Sequence, residues 1–296
     1  MLKKLLRTQH PAFRKLLVAG ICFVFTVSVV ACSSGSITSQ EVSGDVADAS
    51  AVSATASGST LDAVLSEGVI QIAVPQDSPP FGSVGTDGQP QGYDVDVAKM
   101  IAESMEVELE LVPVTSTNRI PYLETGRADL VISSMGATPE RAKSIYFSST
   151  PYAPFFSGIY GSSSLDVSDY SDLGDYTVGV TQGALEDLEL TEKAPEGTEI
   201  RRFEDNSITI SALLAGQVDL AATGNTIAGK VIKDNPDKDI ENKFVMKNSP
   251  CYIGMRRGDQ DMLEWVNVFI RNKRLSGDLD KLSLQWFGEP LNIPTF

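Results

Sequence analysis

The chain has 296 residues, with 39 acidic against 24 basic side chains and a formal charge of −15. That balance repels nucleic acid and anionic lipid and argues against a phosphate-binding face. The one histidine, His10, and one of the three cysteines, Cys22, fall in a segment expected to be removed. The mature chain then has no Ser-His-Asp or Cys-His nucleophile system and no His-containing zinc site, and no intrachain disulfide without Cys32.

Lys3, Lys4, Arg7, Arg14 and Lys15 precede the apolar stretch Leu16 to Val30, and Val29-Val30-Ala31-Cys32 ends it with a small residue before a cysteine. A basic start, a short apolar run and a small-residue cut site read as a cleaved export signal over residues 1–31, not as a membrane span. The end of this segment resembles the lipobox of bacterial lipoproteins, which implies acylation, palmitate included, at Cys32. An ordinary signal peptide with an incidental cysteine is the alternative. Ser33 does not resemble the inner-membrane retention signal, which often has Asp there. Residues 32–60 are rich in Ser, Ala, Gly, Thr and Val with no Lys or Arg. They offer no periodic apolar face, so a flexible tether with a reach of about 30 Å is expected.

Ser59-Thr60-Leu61-Asp62 predicts a capped helix that stops at Gly68. Val69 to Val74 predicts a buried strand, ended by Pro75-Gln76-Asp77-Ser78-Pro79-Pro80-Phe81. After a turn at Thr86-Asp87-Gly88, Tyr93, Val97, Met100, Ile101 and Met105 recur at helical spacing. Val107, Leu109 and Leu111 alternate with Glu108 and Glu110 as a strand. Strands and helices alternate, which points to an α/β fold with a parallel sheet.

The next stretch, Val131 to Arg141, carries the chemistry. Its apolar strand, Asp129 to Ile132, runs into the small-residue loop Ser133, Ser134, Gly136 and Ala137. Thr138 suits an N-cap and Pro139 the first helical position, so a helix is expected to open there. Its free N–H groups would favour an anion, and Arg141 would oppose the dipole by about 0.3–1 kcal/mol without one. Two partners fit Arg141: a ligand carboxylate, or Glu140 or another acid of this acidic chain.

Further on, Gly126-x-x-Asp129-Leu130 recurs as Gly216-x-x-Asp219-Leu220, each between an apolar helix end and a buried strand. The repeat suggests two related lobes, the Gly closing a helix and the chain dropping at once into a sheet. The second lobe is expected after Tyr160, with strands at Tyr176 to Val180, near Ile200 to Phe203 and at Val218 to Ala222. A loop Thr181-Gln182-Gly183-Ala184 follows the first of these, and helices are expected around Ile208 to Leu214 and Thr226 to Lys233. Cys251 to Met255 predicts a short strand. Met262, Trp265, Val266, Phe269 and Ile270 form a helical core stripe, and Trp286-Phe287-Gly288 a docked helix terminus.

Pro79-Pro80-Phe81, Gly92-Tyr93-Asp94-Val95-Asp96, Asn118-Arg119-Ile120-Pro121, the first Gly-x-x-Asp-Leu copy, Thr138-Pro139-Glu140-Arg141-Ala142 and Trp286-Phe287-Gly288 occur in this order. In these motifs the chain resembles solute-binding protein family 3, the polar amino-acid-binding proteins of bacterial ABC importers, over about residues 61–289. The resemblance implies a two-lobed periplasmic binding protein of type II, the Venus flytrap, joined by two crossing hinge strands. Lobe 1 would be 61–157 plus 251–296 and lobe 2 158–250, with hinges near Phe156 to Ile159 and Lys247 to Tyr252. It also implies that Arg141 takes a ligand α-carboxylate.

Departures from the family pattern stand beside this. Ser78 and Ser116 occupy places where members carry aromatics, so both aromatic pocket walls are expected to be missing. Ser134 and Gly136 stand where a Gly and a Thr are usual. The lobe 2 acid that usually holds the ligand ammonium aligns with Gly224. Because an ammonium buried without a carboxylate costs several kcal/mol, another acid must replace it or the ligand is not a standard α-amino acid. Asp77, Glu186 and Asp187 are the candidates on cleft loops, and each also reads as a solvated surface acid. Ser133, Ser134, Thr181, Gln182 and Asn225 could hydrogen-bond a polar ligand or simply be loop residues. With Arg141, Asp77, Ser78, Gly136 and Gly183 these five make up the expected ligand-binding set.

The function expected is that of an extracytoplasmic, lipid-anchored binding subunit, a monomer at the periplasm or cell surface. It would deliver an amino acid or related small carboxylate to an ABC permease, without catalysis, cofactor, metal or nucleic acid. The alternatives are an enzyme similar to the periplasmic cyclohexadienyl dehydratases, with Glu186 as its acid, and a ligand-sensing module.

Overall fold

The computed structural model describes residues 59–293. The export signal, the acylation site Cys32 and the tether up to residue 58 lie outside the described residues. Ser59 accepts the Asp62 N–H at 3.2 Å and opens helix α1 (Thr60–Glu67), and Gly68, at φ 74°, closes it. There follow β1 (Val69–Pro75), the short strands β2 (Asp77–Ser78), β3 (Gly82–Val84) and β4 (Pro90–Gln91), and α2 (Tyr93–Met105). Then come β5 (Glu108–Val114), α3 (Arg119–Glu124), β6 (Leu130–Val131) and β7 (Ile145–Phe147).

The chain next forms β8 (Phe156–Ser162), β9 (Thr177–Thr181), α4 (Leu185–Lys193), β10 (Glu199–Phe203) and α5 (Asn206–Leu214). β11 (Leu220–Gly224), α6 (Asn225–Asp234) and β12 (Ile240–Asn248) complete that part. It returns with β13 (Gly254–Arg256), α7 (Gln260–Leu275) and α8 (Asp278–Phe287).

Two five-stranded sheets result, in the orders β5-β1-β6-β13-β7 and β10-β9-β11-β8-β12. Each has parallel strands at one edge, but both are mixed, where an all-parallel sheet was expected. β13 is antiparallel to β6 and β7, and β8 is antiparallel to β11 and β12. Both odd strands belong to the passages between the sheets, where the chain must reverse relative to the strands built by helical crossovers. The passages pair with one another: Tyr152 N–H donates to Cys251 O at 2.9 Å, Cys251 N–H to Ala153 O at 2.9 Å and Ser249 N–H to Phe155 O at 3.0 Å. Phe156 to Ile159 are already paired inside the second sheet, so the first crossing precedes the hinge expected there.

The recurring Gly-x-x-Asp-Leu stretch is the same device in both sheets. Gly126 and Gly216 sit at φ 72° and 67°. Asp129 gives its N–H to Gln71 O and takes the Gln71 N–H on its carboxylate, at 2.8 and 2.9 Å. Asp219 does the same with Thr177, at 3.0 and 2.8 Å. The glycine turns the chain out of its helix, and the aspartate anchors it to the neighbouring parallel strand, β1 in the first sheet and β9 in the second.

Separate cores back the two sheets. In the first, Tyr93, Val97, Ile101 and Met105 pack from α2 against Ile70, Ile72 and Leu130, with Met262, Val266 and Ile270 from α7 in the same cluster. In the second, Val178, Val180, Leu190, Leu220 and Ile159 are buried together.

Candidate functional site

The loop that leaves β6 is held open by a buried carboxylate. Asp94, in the first turn of α2, accepts the Ser134 N–H at 2.8 Å on one oxygen and the Tyr152 hydroxyl at 2.8 Å on the other. Ser134 consequently sits at φ 39°. Burial raises Asp94 to about 7, against the pull of these hydrogen bonds and of Arg119. Gly136 lies against the returning passage, where a Cβ would meet Ser249 Oγ at 2.1 Å.

The helix expected from Thr138 is only a 3-10 turn, Arg141–Lys143. Thr138 does cap it, its hydroxyl taking the Arg141 N–H at 3.2 Å, but β7 begins at Ile145 and leaves no room for a longer helix. A turn this short has no macrodipole worth invoking, so the charge at this place is the Arg141 guanidinium itself. Arg141 is 8% exposed and donates to Gly136 O at 2.8 Å and, across to the second lobe, to Gly183 O at 3.1 Å. Burial and then the nearby Arg119 lower it to about 9, with Glu186 acting the other way, so it is protonated at neutral pH.

A second buried guanidinium, which the reading of the sequence did not assign to the site, comes from α3. Arg119 is 5% exposed; it donates to Ser133 O at 2.7 Å, and its Nε has no partner. Burial lowers its pKa, offset by Glu186 and Asp77. Its signal in the sequence is its place in the Asn118-Arg119-Ile120-Pro121 motif, which gives no role to the arginine.

The second lobe answers with α4. Glu186 and Asp187 are not on a loop, as expected, but in the first turn of this helix, which has no side-chain N-cap at Ala184. Asp187 is fully engaged, accepting the Gly183 N–H at 3.0 Å and Arg202 Nε at 2.7 Å. Glu186 is 5% exposed and its Oε1 has no partner. Burial raises its pKa, against its own backbone N–H and the two arginines.

Arg119, Arg141 and Glu186 line one cavity of about 30 Å³, with Ser116, Ser134, Gly136, Asn206 and Ser249 as polar neighbours and Phe155, Leu185 and Ile227 as apolar ones. Of the expected set, Ser134, Gly136 and Arg141 face it. Ser133 supports it through Arg119, and Gly183 through Arg141. Asp77 and Ser78 instead clasp the other lobe: Asp77 accepts Asn206 N–H at 2.8 Å and Nδ2 at 3.1 Å, and Ser78 Oγ accepts Nδ2 at 2.9 Å. Thr181 is spent on Asn206 and Thr209, at 3.0 and 2.9 Å.

Two expected residues are not brought in. Gln182 is exposed, its N–H tied to Phe203 O, because strand alternation turns it away from the buried Thr181. Asn225 accepts the Phe156 N–H at 3.0 Å from the opening of α6 and does not line this cavity. The aromatic wall expected to be missing arrives from another element: Phe155, on the first crossing passage, lies 6.0 Å from Phe81 and fills the space in front of Gly224, where a Cβ would stand 2.2 Å from its ring. A larger groove of about 550 Å³ runs between Pro79, Trp286 and α6. Its charged side chains, Lys230, Lys233, Asp234 and Glu289, are exposed, whereas buried charges converge on the smaller cavity.

Residues 70–289 match the family model of bacterial extracellular solute-binding proteins, family 3. The L-cystine-binding protein TcyJ of Escherichia coli K12 is 27% identical over 232 residues, covering 77% of this chain and 86% of that protein. Among solved structures, a mutant of ArgBP from T. maritima aligns with a TM-score of 0.72 and 32% identity over 77% of this chain and 99% of its own. The ancestral amino acid-binding protein AncCDT-1, a precursor of cyclohexadienyl dehydratase, aligns with a TM-score of 0.70 and 31% identity over 78% and 100%.

Proposed function

The chain belongs to the bacterial extracellular solute-binding proteins of family 3, and from that premise we propose that it is the binding subunit of an ABC importer for an amino acid or a related small carboxylate. The observation that carries this reading is Arg141: a buried guanidinium, held by two backbone carbonyls and without an ion-pair partner among the described residues, at the cavity between two lobes. Such a group is poised for a bidentate carboxylate. Lobe 1 is taken as 61–157 plus 251–296 and lobe 2 as 158–250, with the pairs around Tyr152–Phe155 and Ser249–Cys251 as the crossing.

A cavity of about 30 Å³ has room for about two water molecules. Ligand entry therefore goes with parting of the lobes, release of the Asn206 clasp and of the Arg141–Gly183 bond, and reclosure. Capture requires only that the ligand favour the closed arrangement over the open one; delivery to a permease then follows from recognition of that arrangement. No catalytic step is needed. Glu186 alone would suit an enzyme, as a buried carboxyl with a raised pKa; turnover of prephenate or arogenate would decide for that reading.

Thermal or urea unfolding of the purified protein against the amino acids, dicarboxylates and simple carboxylates tests the binding reading. A ligand at 100 times its dissociation constant adds about 2.7 kcal/mol of stability. That gain is expected for the parent and not for Arg141→Ala; equal stabilisation of both would remove Arg141 from the site. Anchoring through acylated Cys32 is part of the same proposal, and Cys32→Ser is expected to release the protein from the membrane fraction.

A further inference from the structure

Resting on the binding reading above, we propose that the ligand is an acidic amino acid, its two carboxylates divided between Arg141 and Arg119 and its ammonium held by Glu186. Buried charges are normally matched by opposite charges and hydrogen bonds, yet among the described residues neither Arg119, Arg141 nor Glu186 makes an ion pair. Each is more than nine-tenths buried, and all three line the same cavity.

The other acids nearby are occupied. Asp77 bonds Asn206, Asp187 bonds Arg202 and Gly183, and both oxygens of Asp94 face Ser134 and Tyr152. No second acid can enter from β11, because Phe155 fills the volume before Gly224. The free complement facing a ligand is thus two guanidiniums and one carboxyl group. A neutral amino acid would satisfy Arg141 and Glu186 and leave Arg119, with its unpartnered Nε, facing an uncharged tail. A basic amino acid would set a cation against it. A second ligand carboxylate satisfies it.

Calorimetric titration of the full protein with L-glutamate, L-aspartate, their amides L-glutamine and L-asparagine, and the amine-free 2-oxoglutarate tests the assignment. One of the two acids is expected to bind at least about tenfold tighter than its own amide. Arg119→Gln should erase that preference, bringing the acid and its amide to within a few-fold of each other. Glu186→Gln should weaken the amino acid by about tenfold or more and leave 2-oxoglutarate unchanged or tighter.

An amide that binds as well as its acid to the parent protein overturns the proposal, and this comparison needs no variant to fold. So does an Arg119→Gln protein that melts like the parent and keeps the acid preference. A neutral or basic amino acid bound through Arg141 with the acids excluded overturns this inference alone. If none of the amino acids, dicarboxylates or simple carboxylates binds, or binding is indifferent to Arg141→Ala, the importer reading fails with it.

Discussion

Asp94 shows how one residue shapes the site without touching its cavity. Its carboxylate fixes the Ser134 N–H and the Tyr152 hydroxyl, and Tyr152 stacks on Tyr93 at 6.0 Å. The groups that face it are Tyr152, Tyr93, Cys251 and, at longer range, Arg119. Burial lifts it to about 7, while in the unfolded chain an aspartate titrates near 3.9. Between those values the folded form holds a proton that the unfolded form has lost. Stability therefore falls as pH rises through this interval, and above about 7 the full cost is present. Urea denaturation from pH 4.5 to 7.5 should show the parent losing stability relative to Asp94→Asn as pH rises; parallel curves would mean that Asp94 does not titrate there. The cost is consistent with placing Ser134 in a left-handed conformation that few residues other than glycine adopt.

At the scale of elements, both sheets use the same Gly-x-x-Asp-Leu turn to tie a helix end to a strand. Asp129 and Asp219 each close a two-way hydrogen-bonded link between a helix end and the head of β1 or β9. Asp219→Ala is expected to cost about 1 kcal/mol, the usual net worth of such a bond. Asp129→Ala should cost more, because Asp129 is also 3.5 Å from Arg256. The two losses should add, since they lie in separate sheets; the urea midpoints of the single and double variants check this.

These turns were legible in the sequence because they are local: a glycine that must adopt positive φ, an aspartate, and a strand directly after. The capped start of α1 and the apolar stripes of α2 and α7 were legible for the same reason. What was not legible depended on distant partners. α4 was hidden because Ala184 and Leu185 give no capping signal. The antiparallel strands β8, β12 and β13 are set by the crossing between sheets. Thr138 and Pro139 carried a correct capping signal for a helix that β7 cuts short. Within the site, Arg141 and Ser134 could be named from their loop, but Arg119 and Phe155 reach the cavity only through folding, and the outward turn of Gln182 follows from strand register.

For the whole molecule the controlling quantity is the balance between closed and parted lobes. The closed arrangement is held across the cleft by Asn206 with Asp77 and Ser78, and by Arg141 with Gly183. The first of these uses the opening N–H of α5, a donor that the helix itself leaves free. An Asn206→Ala protein loses both side-chain bonds across the cleft, together with the Thr181 bond within the second lobe, and keeps the backbone one, so its equilibrium should shift toward parted lobes. Apparent ligand affinity is intrinsic affinity scaled by the fraction able to close. The variant should therefore show a larger radius of gyration by small-angle scattering without ligand, together with weaker binding and contraction to the parent's size at saturation. Because Asn206 also lines the cavity, weaker binding alone would not separate a clasp from a ligand contact. The scattering of the ligand-free protein does: an unchanged radius with weakened binding makes Asn206 a contact residue, and an enlarged one makes it the latch that sets how readily the lobes close.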